Sequence, residues 1–223
     1  MKKFLFIPLA LILFTAFVPQ KKTKVIFFGD SITELGVKPG GYVTRVDSMC
    51  KLEKKGDQYE FSGSGISGNK IYDLYLRLED DVLSKNSDVV VIYVGVNDVW
   101  HKTLLGTGTD ADKFEKFYYA ILKKFKDRNI KAILCTPAVV GEKTDMSNPL
   151  DGDLNRYCNI IRDIAKKSNL PLIDLRQKFL EYDKANNPDN KEKDILTYDK
   201  VHLNPKGNQL VADLMWKAIK ELK

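Results

Sequence analysis

Five short apolar runs alternate with segments of helical periodicity, and this alternation limits the fold more than any other feature of the sequence. Each run has the length of a strand, and each connection is long enough to cross over to a parallel neighbour. The pattern predicts an α/β domain with a doubly wound, mostly parallel sheet. The predicted strands lie at residues 24–28, 59–62, 88–94, 130–136 and 172–174.

The run at 88–94 is apolar on both faces, which is typical of a central strand in a parallel sheet. The last helix is predicted to begin at Asn204-Pro205, because proline is favoured in the first helical position. Other helices are predicted at 42–52, 71–84, 110–127, 153–168 and 175–182. Loops are predicted at 99–108 and 137–152, and an exposed polar loop at 183–194.

Residues 1–20 are predicted to precede the folded domain, which then comprises residues 21–223. Lys2 and Lys3 precede an apolar run at 4–18, which is shorter than the roughly 20 residues that span a bilayer. No site near its end has small residues at both positions that a signal peptidase needs. We therefore expect a signal peptide or an uncleaved N-terminal membrane anchor, and an exported protein that is periplasmic, secreted or membrane-anchored.

The charge pattern argues against nucleic-acid binding. The chain has 36 Lys and Arg and 30 Asp and Glu, a net charge of +6, but basic and acidic residues alternate along the helices. Cys50, Cys135 and Cys158 are odd in number and unevenly spaced, which predicts neither a zinc site nor a disulfide framework. A single disulfide and the oligomeric state stay open at this stage.

Ser31 directly follows the first predicted strand, in Gly29-Asp30-Ser31. Ligands bind at the carboxyl ends of the strands in open parallel sheets, so this position makes Ser31 a candidate nucleophile. A serine at such a turn also caps the next helix, and the stretch alone leaves both roles open. Asp30 is interpreted as a residue that braces the turn.

The chain has two histidines, His101 and His202, so a histidine base must be one of them. In Asp199-x-x-His202, a tight turn lets the carboxylate accept a hydrogen bond from one imidazole nitrogen. The other nitrogen is then free to accept a serine proton. A surface or helix-capping pair has the same spacing. His101 follows the central strand and is interpreted as a pocket or surface residue.

Gly63-x-Gly65-x-x-Gly68 matches the dinucleotide-binding string, but its context argues against that function. It follows the second strand, and no acidic residue ends the next strand to hold a ribose. The glycines are equally typical of a tight turn, or of backbone N–H groups that approach a substrate.

Four candidate groups are expected at one edge of the sheet. Ser31, Gly68 and Asn97 follow the first three strands, and His202 follows the fifth. The amide of Asn97 is an available donor for a developing oxyanion, although asparagine also stabilises turns. Their agreement in place favours a single crevice in which they act together.

Gly29-Asp30-Ser31, Gly68, Gly95-Val96-Asn97-Asp98 and Asp199-x-x-His202 resemble, in order, the four sequence blocks of the SGNH hydrolases, also called the GDSL esterase/lipase family. The resemblance extends from Val25 to the C-terminal helix. It implies a flavodoxin-like three-layer sandwich with a five-stranded parallel sheet in the order 2-1-3-4-5. One departure lies in the second block, where residues 61–64 lack an asparagine that the family often has.

The resemblance also implies roles for the site residues. Ser31 would be the nucleophile and a backbone oxyanion donor, with further donors in the Gly68 N–H and the Asn97 side chain. His202 would be the general base, oriented by Asp199. The family's reaction requires no metal and no organic cofactor.

The expected function is that of a serine esterase that hydrolyses carboxylic esters through an acyl-enzyme. A single exported domain without a long apolar lid suits a small acyl group, such as acetyl on a polysaccharide. A lysophospholipase or thioesterase is the alternative enzyme, and a non-catalytic carbohydrate-binding protein is the alternative from another class. Trp100 and His101 are expected to line the substrate pocket; Trp100 would stack on a sugar, form an apolar wall or simply pack.

Overall fold

The sheet contains five parallel strands in the order β2-β1-β3-β4-β5 in the computed structural model, which describes residues 21–222. The strands are β1 (Thr23–Gly29), β2 (Tyr59–Gly65), β3 (Val89–Tyr93), β4 (Lys131–Cys135) and β5 (Leu172–Ile173). The predicted fold class and strand order are confirmed. The predicted leader at residues 1–20 lies outside the described residues.

The connections between the strands are helical. The helices are α1 (Ser31–Gly36), α2 (Tyr42–Leu52), α3 (Ile71–Leu76), α4 (Leu78–Asp81), α5 (Val96–Leu105), α6 (Ala111–Asp127), α7 (Asp151–Ser168), α8 (Leu175–Asn186) and α9 (Pro205–Glu221). The last helix begins at Pro205, as predicted, and the Asn204 side chain caps it by accepting the Lys206 and Gly207 N–H groups. In residues 21–222 no helix is both long and apolar enough to cross a bilayer.

The core forms two layers, one on each face of the sheet. Val25 and Phe27 of β1 lie in the layer covered by α2, α8 and α9, whereas Ile26 and Phe28 lie in the layer under α3, α6 and α7. All of Val89–Tyr93 is buried, which is why β3 lacks the polar alternation of a one-sided strand. Burying such side chains stabilises the fold by about 1.5–3 kcal/mol each.

The helix predicted at 71–84 is broken. It consists of α3, α4 and a short 3-10 turn at Leu83–Lys85, and the break between α3 and α4 lies at Arg77. Leu76, at the end of α3, is 76% exposed, whereas Leu74 and Leu78 on either side of it are buried. The apolar spacing therefore located the buried face but not the break.

The loop predicted at 99–108 is wrong, because most of it belongs to α5, which runs to Leu105. Val96 and Val99 pack into the core and fix one face of this helix. Gly106 ends it with φ = 70°, a left-handed C-terminal conformation that suits glycine. As a result Asn97 lies in the first turn of a helix and not at the end of a strand.

The exposed loop predicted at 183–194 is also partly wrong. Helix α8 continues to Asn186, and Asp183 is 1% exposed. Asn187 is buried as well, and its amide donates to the carbonyl oxygens of Glu142 and Lys191 at 2.8 Å each. The polar composition of this segment reflects internal hydrogen bonding as well as contact with water.

The three cysteines form no disulfide with one another. Cys50, Cys135 and Cys158 are all buried and free. Cys135 ends β4 within the core, where its thiol packs as a small apolar side chain.

The end of β2 lies very close to α1. A Cβ atom added to Gly65 would lie 2.1 Å from the Glu34 backbone nitrogen and 2.6 Å from the Asp30 carbonyl oxygen. Only glycine allows two backbones to approach so closely. The contact fixes the position of α1, whose first residue is Ser31.

Gly65→Ala should therefore lower the free energy of unfolding by at least about 2 kcal/mol, the cost of an overpacked site. Gly152→Ala is the matched control, because an added Cβ meets no atom within 4 Å there. That change lies inside α7 and should stabilise the protein by up to about 1 kcal/mol. Chemical denaturation measures both, and equal stabilities of the two variants would contradict the close approach.

Asp183 provides a test of pH-dependent stability. Both carboxylate oxygens are buried without a hydrogen-bond partner, and burial, reinforced by the neighbouring Glu142, raises the pKa of Asp183 to about 7. The pKa of an aspartate in the unfolded chain is about 3.9, so the native state holds this proton more tightly. The contribution of the Asp183 carboxyl group to the free energy of unfolding is therefore full below about pH 4, and it is lost as the pH rises to about 7.

Asp183→Asn should remove the fall in the free energy of unfolding that ionisation of Asp183 causes as the pH rises. Stability of the variant relative to the wild type should rise by up to about 3 kcal/mol between pH 5 and pH 8, because one pKa unit is about 1.4 kcal/mol. Comparing the two pH values cancels the constant cost of a buried amide. The exposed Asp163→Asn serves as the control, and a pH-independent difference for Asp183→Asn would contradict the raised pKa.

Candidate active site

Ser31 lies where β1 ends and α1 begins, at the carboxyl edge of the sheet. The Asp30 carboxylate caps the helix by accepting the Ile32 N–H at 3.0 Å. Asp30 therefore has the capping role that the sequence left open for Ser31. The Ser31 hydroxyl is thus available for another bond. Ser31 is 9% exposed, so a small group can reach it.

Ser31, His202 and Asp199 form one hydrogen-bonded array. The Ser31 Oγ lies 2.8 Å from His202 Nε2, and His202 Nδ1 lies 2.6 Å from Asp199 Oδ2. The carboxylate can only accept, so it selects the tautomer with the proton on Nδ1. Nε2 is then an acceptor aimed at the serine hydroxyl.

The other Asp199 oxygen stabilises the turn itself. It accepts the backbone N–H groups of His202 at 2.7 Å and Val201 at 3.1 Å. Burial acts to raise the pKa of Asp199, but the hydrogen bonds from His202 and Val201 outweigh it and hold the pKa below its ordinary value. The carboxylate is therefore ionised at neutral pH.

Residues 195–204, which we call the His202 loop, are anchored from inside the protein. Glu142 is 1% exposed and accepts three consecutive backbone N–H groups, from Ile195 at 2.9 Å and from Leu196 and Thr197 at 2.7 Å each. A buried carboxylate with several backbone donors is well satisfied. Glu142 comes from the segment after β4, so it ties the His202 loop to the sheet edge.

Gly68 and Asn97, two of the three predicted oxyanion donors, lie on segments that are bonded to each other. Gly68 has φ = 79°, which glycine adopts without strain. The Asn97 side-chain amide donates to the carbonyl oxygen of Asn69, the next residue, at 3.1 Å. An amide has two hydrogens, so Asn97 keeps a second one for a ligand.

Residues 66–70, which we call the Gly68 loop, are also bonded to α1. The Ser67 N–H and hydroxyl both donate to the Glu34 carboxylate, at 2.7 and 2.6 Å. These two hydrogen bonds lower the pKa of Glu34. The segments that carry Ser31, Gly68 and Asn97 are thus mutually connected, as their positions after three adjacent strands predicted.

His101 lies beside the Gly68 loop on α5. A Cβ atom at Gly68 would lie 3.7 Å from His101 Cε1. Burial, together with the charge of Lys70, lowers the pKa of His101, so its ring is neutral at neutral pH. The interpretation of His101 as a residue near the pocket fits this position, and its buried Nδ1 has no partner.

Trp100 is half-buried and packs against the core layer under α9, with its ring centroid 5.8 Å from that of His101. Packing therefore accounts for part of its surface. A more exposed aromatic ring lies elsewhere: Tyr198 is 48% exposed and stacks on His202, with centroids 5.8 Å apart and an interplanar angle of 19°.

Sequence reasoning missed three residues that bear on the site: Tyr198, Glu142 and Arg77. Tyr198 could have been found, because an aromatic residue directly precedes Asp199. Glu142 lies in a segment without periodicity, and Arg77 lies among charged residues of a helical pattern. Nothing in one sequence distinguishes those two from residues of a solvated surface.

An open apolar groove lies at the opposite edge of the sheet, where Leu122, Ile130 and Pro171 line it. It is formed around the beginnings of β4 and β5, whereas Ser31 follows the end of β1. The groove is therefore separate from the Ser31–His202–Asp199 array.

Comparisons with known proteins agree with this geometry. The GDSL-like Lipase/Acylhydrolase family matches residues 27–210. An acetylxylan esterase of Geobacillus stearothermophilus is 28% identical over 205 residues, 85% of this chain and 90% of that enzyme. A solved structure of the acetyl xylan esterase AlAXEase is 63% identical, with a TM-score of 0.87 over 88% of this chain and 99% of that one.

A further relative is the uncharacterised lipoprotein YqeF of Bacillus subtilis (strain 168), 25% identical over 182 residues, which are 74% of each protein. The family match itself spans every residue of the site described above, from Ser31 to His202. The predicted class, an ester hydrolase, is confirmed by that match. This chain therefore belongs to the GDSL-like lipase/acylhydrolase family.

Proposed function

We propose that this protein is a serine esterase that removes acetyl groups from acetylated xylan or its oligosaccharides. The observation that carries the proposal is the Ser31–His202–Asp199 array at the carboxyl edge of the sheet, with bonds of 2.8 and 2.6 Å. The named activity of two relatives, acetylxylan esterase, supports the acetyl group and the glycan.

In the acylation step, the Ser31 oxygen attacks the acetyl carbonyl carbon while His202 Nε2 takes the hydroxyl proton. A serine hydroxyl is a weak nucleophile at neutral pH and needs such a base. Asp199 stabilises the resulting imidazolium and keeps its orientation. His202 then gives the proton to the sugar oxygen as the ester bond breaks, which leaves an acetyl group on Ser31.

In the deacylation step, His202 takes a proton from water, and the hydroxide attacks the acetyl-serine. The second tetrahedral intermediate collapses as His202 returns the proton to Ser31, and acetate leaves. Both intermediates carry an oxyanion, for which we propose the Ser31 and Gly68 N–H groups and the Asn97 amide as donors. Loss of one such donor costs about 2.7–4 kcal/mol of barrier in comparable sites.

Tyr198 is the residue that we propose as the platform for the sugar. Aromatic side chains that line binding sites offer an apolar face, and this ring lies directly beside His202. Trp100 is a weaker candidate, because it packs partly against the core. The acetyl group would bind beside the Gly68 loop, which His101 contacts at Gly68.

We propose that the protein acts outside the cytoplasm, in keeping with the apolar run at residues 4–18 and with the lipoprotein among its relatives. A polymeric substrate does not cross a bilayer, so export would bring the enzyme to it. Fractionation of cells that express the full chain is the test, and activity confined to the cytosol would contradict export.

Ser31→Ala should lower acetate release from acetylated xylooligosaccharides by at least about 1000-fold without unfolding the protein, because removal of the nucleophile leaves only binding and the oxyanion donors. Acetate release and circular dichroism are the measurements. Ser48→Ala, on the exposed side of α2, is the matched control and should keep full activity.

A covalent probe and a comparison of substrates separate the alternatives. A fluorophosphonate probe should label the wild type and not Ser31→Ala, whereas an unlabelled wild type would favour a non-catalytic carbohydrate-binding protein. Faster release of fatty acid from a lysophospholipid, or of thiol from an acyl thioester, than of acetate from the glycan would favour the lipolytic alternative.

Tyr198→Ala should raise KM for an acetylated xylooligosaccharide about 10-fold and change KM for ethyl acetate much less, because an ethyl group is too small to cover the ring. Tyr198→Phe keeps the ring and should keep the wild-type KM. If the two substrates lose kcat/KM equally in Tyr198→Ala, the ring supports His202 and is not a sugar platform.

A further inference from the structure

We propose that Arg77 is a positioning residue that holds the oxyanion donors of this site in register with Ser31. The proposal rests on the proposed esterase function. Arg77 touches none of the reacting groups, but its guanidinium connects the end of β1, the end of β2 and the Gly68 loop.

The contacts of Arg77 use its whole guanidinium. Nη2 donates to the carbonyl oxygen of Gly29 at 2.7 Å and to that of Ser64 at 3.2 Å, and Nε donates to the Asn69 Oδ1 at 2.7 Å. Nη1 donates to the Ser64 hydroxyl at 2.7 Å and pairs with Asp81. The side chain is 14% exposed.

Each of these contacts leads to a group of the candidate site. Gly29 lies two residues before Ser31, and Asn69 follows Gly68 directly. The carbonyl oxygen of Asn69 in turn accepts the Asn97 amide at 3.1 Å. One side chain is therefore connected, through one residue or two, to all three proposed oxyanion donors.

The role requires the planar fork of arginine. A guanidinium carries five N–H donors in fixed directions, whereas a lysine is a point charge that cannot bind several carbonyl oxygens in one plane. The guanidinium also lies over the Phe28 ring, 4.5 Å from its centroid, which fixes its plane from one side. Lysine at this position would keep the charge and lose the geometry.

The role is positional and not one of attracting the oxyanion by charge. Asp81 pairs with Arg77 and also accepts the Ser64 hydroxyl at 2.9 Å, so the positive charge is balanced locally. What Arg77 supplies is the relative placement of backbone segments. A misplacement of about 1 Å at a reacting centre can cost about 100-fold in rate.

The test compares Arg77→Lys with Arg162→Lys. Arg162 is also partly buried, at 31% exposed, and it also pairs with a carboxylate, Asp174, through bonds of 2.7 and 2.8 Å, but Asp174 does not belong to the candidate site. For each protein, kcat and KM are measured with p-nitrophenyl acetate. Active sites are counted by fluorophosphonate labelling carried to completion, and stability is measured by thermal unfolding.

We expect Arg77→Lys to lower kcat per labelled site about 10- to 100-fold, with KM changed less than about 3-fold, because the loss falls on the transition state. Arg162→Lys should keep kcat per labelled site while it lowers stability. The rate of fluorophosphonate labelling should fall together with kcat in Arg77→Lys, since that reaction also develops charge on oxygen. Wild-type kcat per labelled site in Arg77→Lys would overturn the proposal, even if stability falls.

Asn69→Ala tests the same connection without removing the arginine. It removes one acceptor of Arg77 at a half-buried loop position and should lower kcat per labelled site several-fold. Its effect should be smaller in the presence of Arg77→Lys, since the two residues act as a unit. If Arg77→Lys does not fold, an unchanged kcat in Asn69→Ala overturns the proposal.

Failure of this proposal is distinguishable from failure of the proposed function. An inactive wild type, or an active Ser31→Ala, refutes the esterase mechanism itself. An active wild type with an inactive Ser31→Ala and unaffected Arg77→Lys refutes only the role of Arg77.

Discussion

The site depends on the parallel pairing of β1 with a neighbour on each side. Gly29 pairs with Gly65 of β2 and with Tyr93 of β3, so the three strands end at the same level. Ser31, the Gly68 loop and α5 then leave the sheet side by side. Backbone hydrogen bonds between the strands therefore make these three segments neighbours, and side-chain bonds such as those of Arg77 add to that arrangement.

The His202 loop reaches the same edge by a different means, because no strand delivers it. Its three backbone N–H groups bind Glu142, and an isolated bridge between Thr197 and Leu203 closes it. The strand register of β1 thus positions Ser31, whereas the buried Glu142 carboxylate positions His202. The 2.8 Å hydrogen bond between Ser31 and His202 joins these two parts of the site.

The sequence was most informative where local pattern and tertiary position agree. Apolar runs located the strands, and the family resemblance implied their order. The four blocks located Ser31, Gly68, Asn97 and the Asp199–His202 pair, which the structure brings to one edge of the sheet. Their roles stay predictions. The sequence could not find α5, since its buried face is short and two of its polar residues, Asn97 and His101, lie against the Gly68 loop. Nor could it find Arg77 or Glu142, because a charge that binds backbone groups at long range has no periodicity.

The direction of β1 has a consequence for the orientation of the protein. The strand begins at Thr23, close to the first described residue, and ends beside Ser31. Seven residues of strand span about 23 Å at roughly 3.3 Å per residue. The start of β1 and Ser31 therefore lie at opposite edges of the sheet, so a carrier coupled to Lys21 or Lys22 would leave the edge that holds Ser31 uncovered.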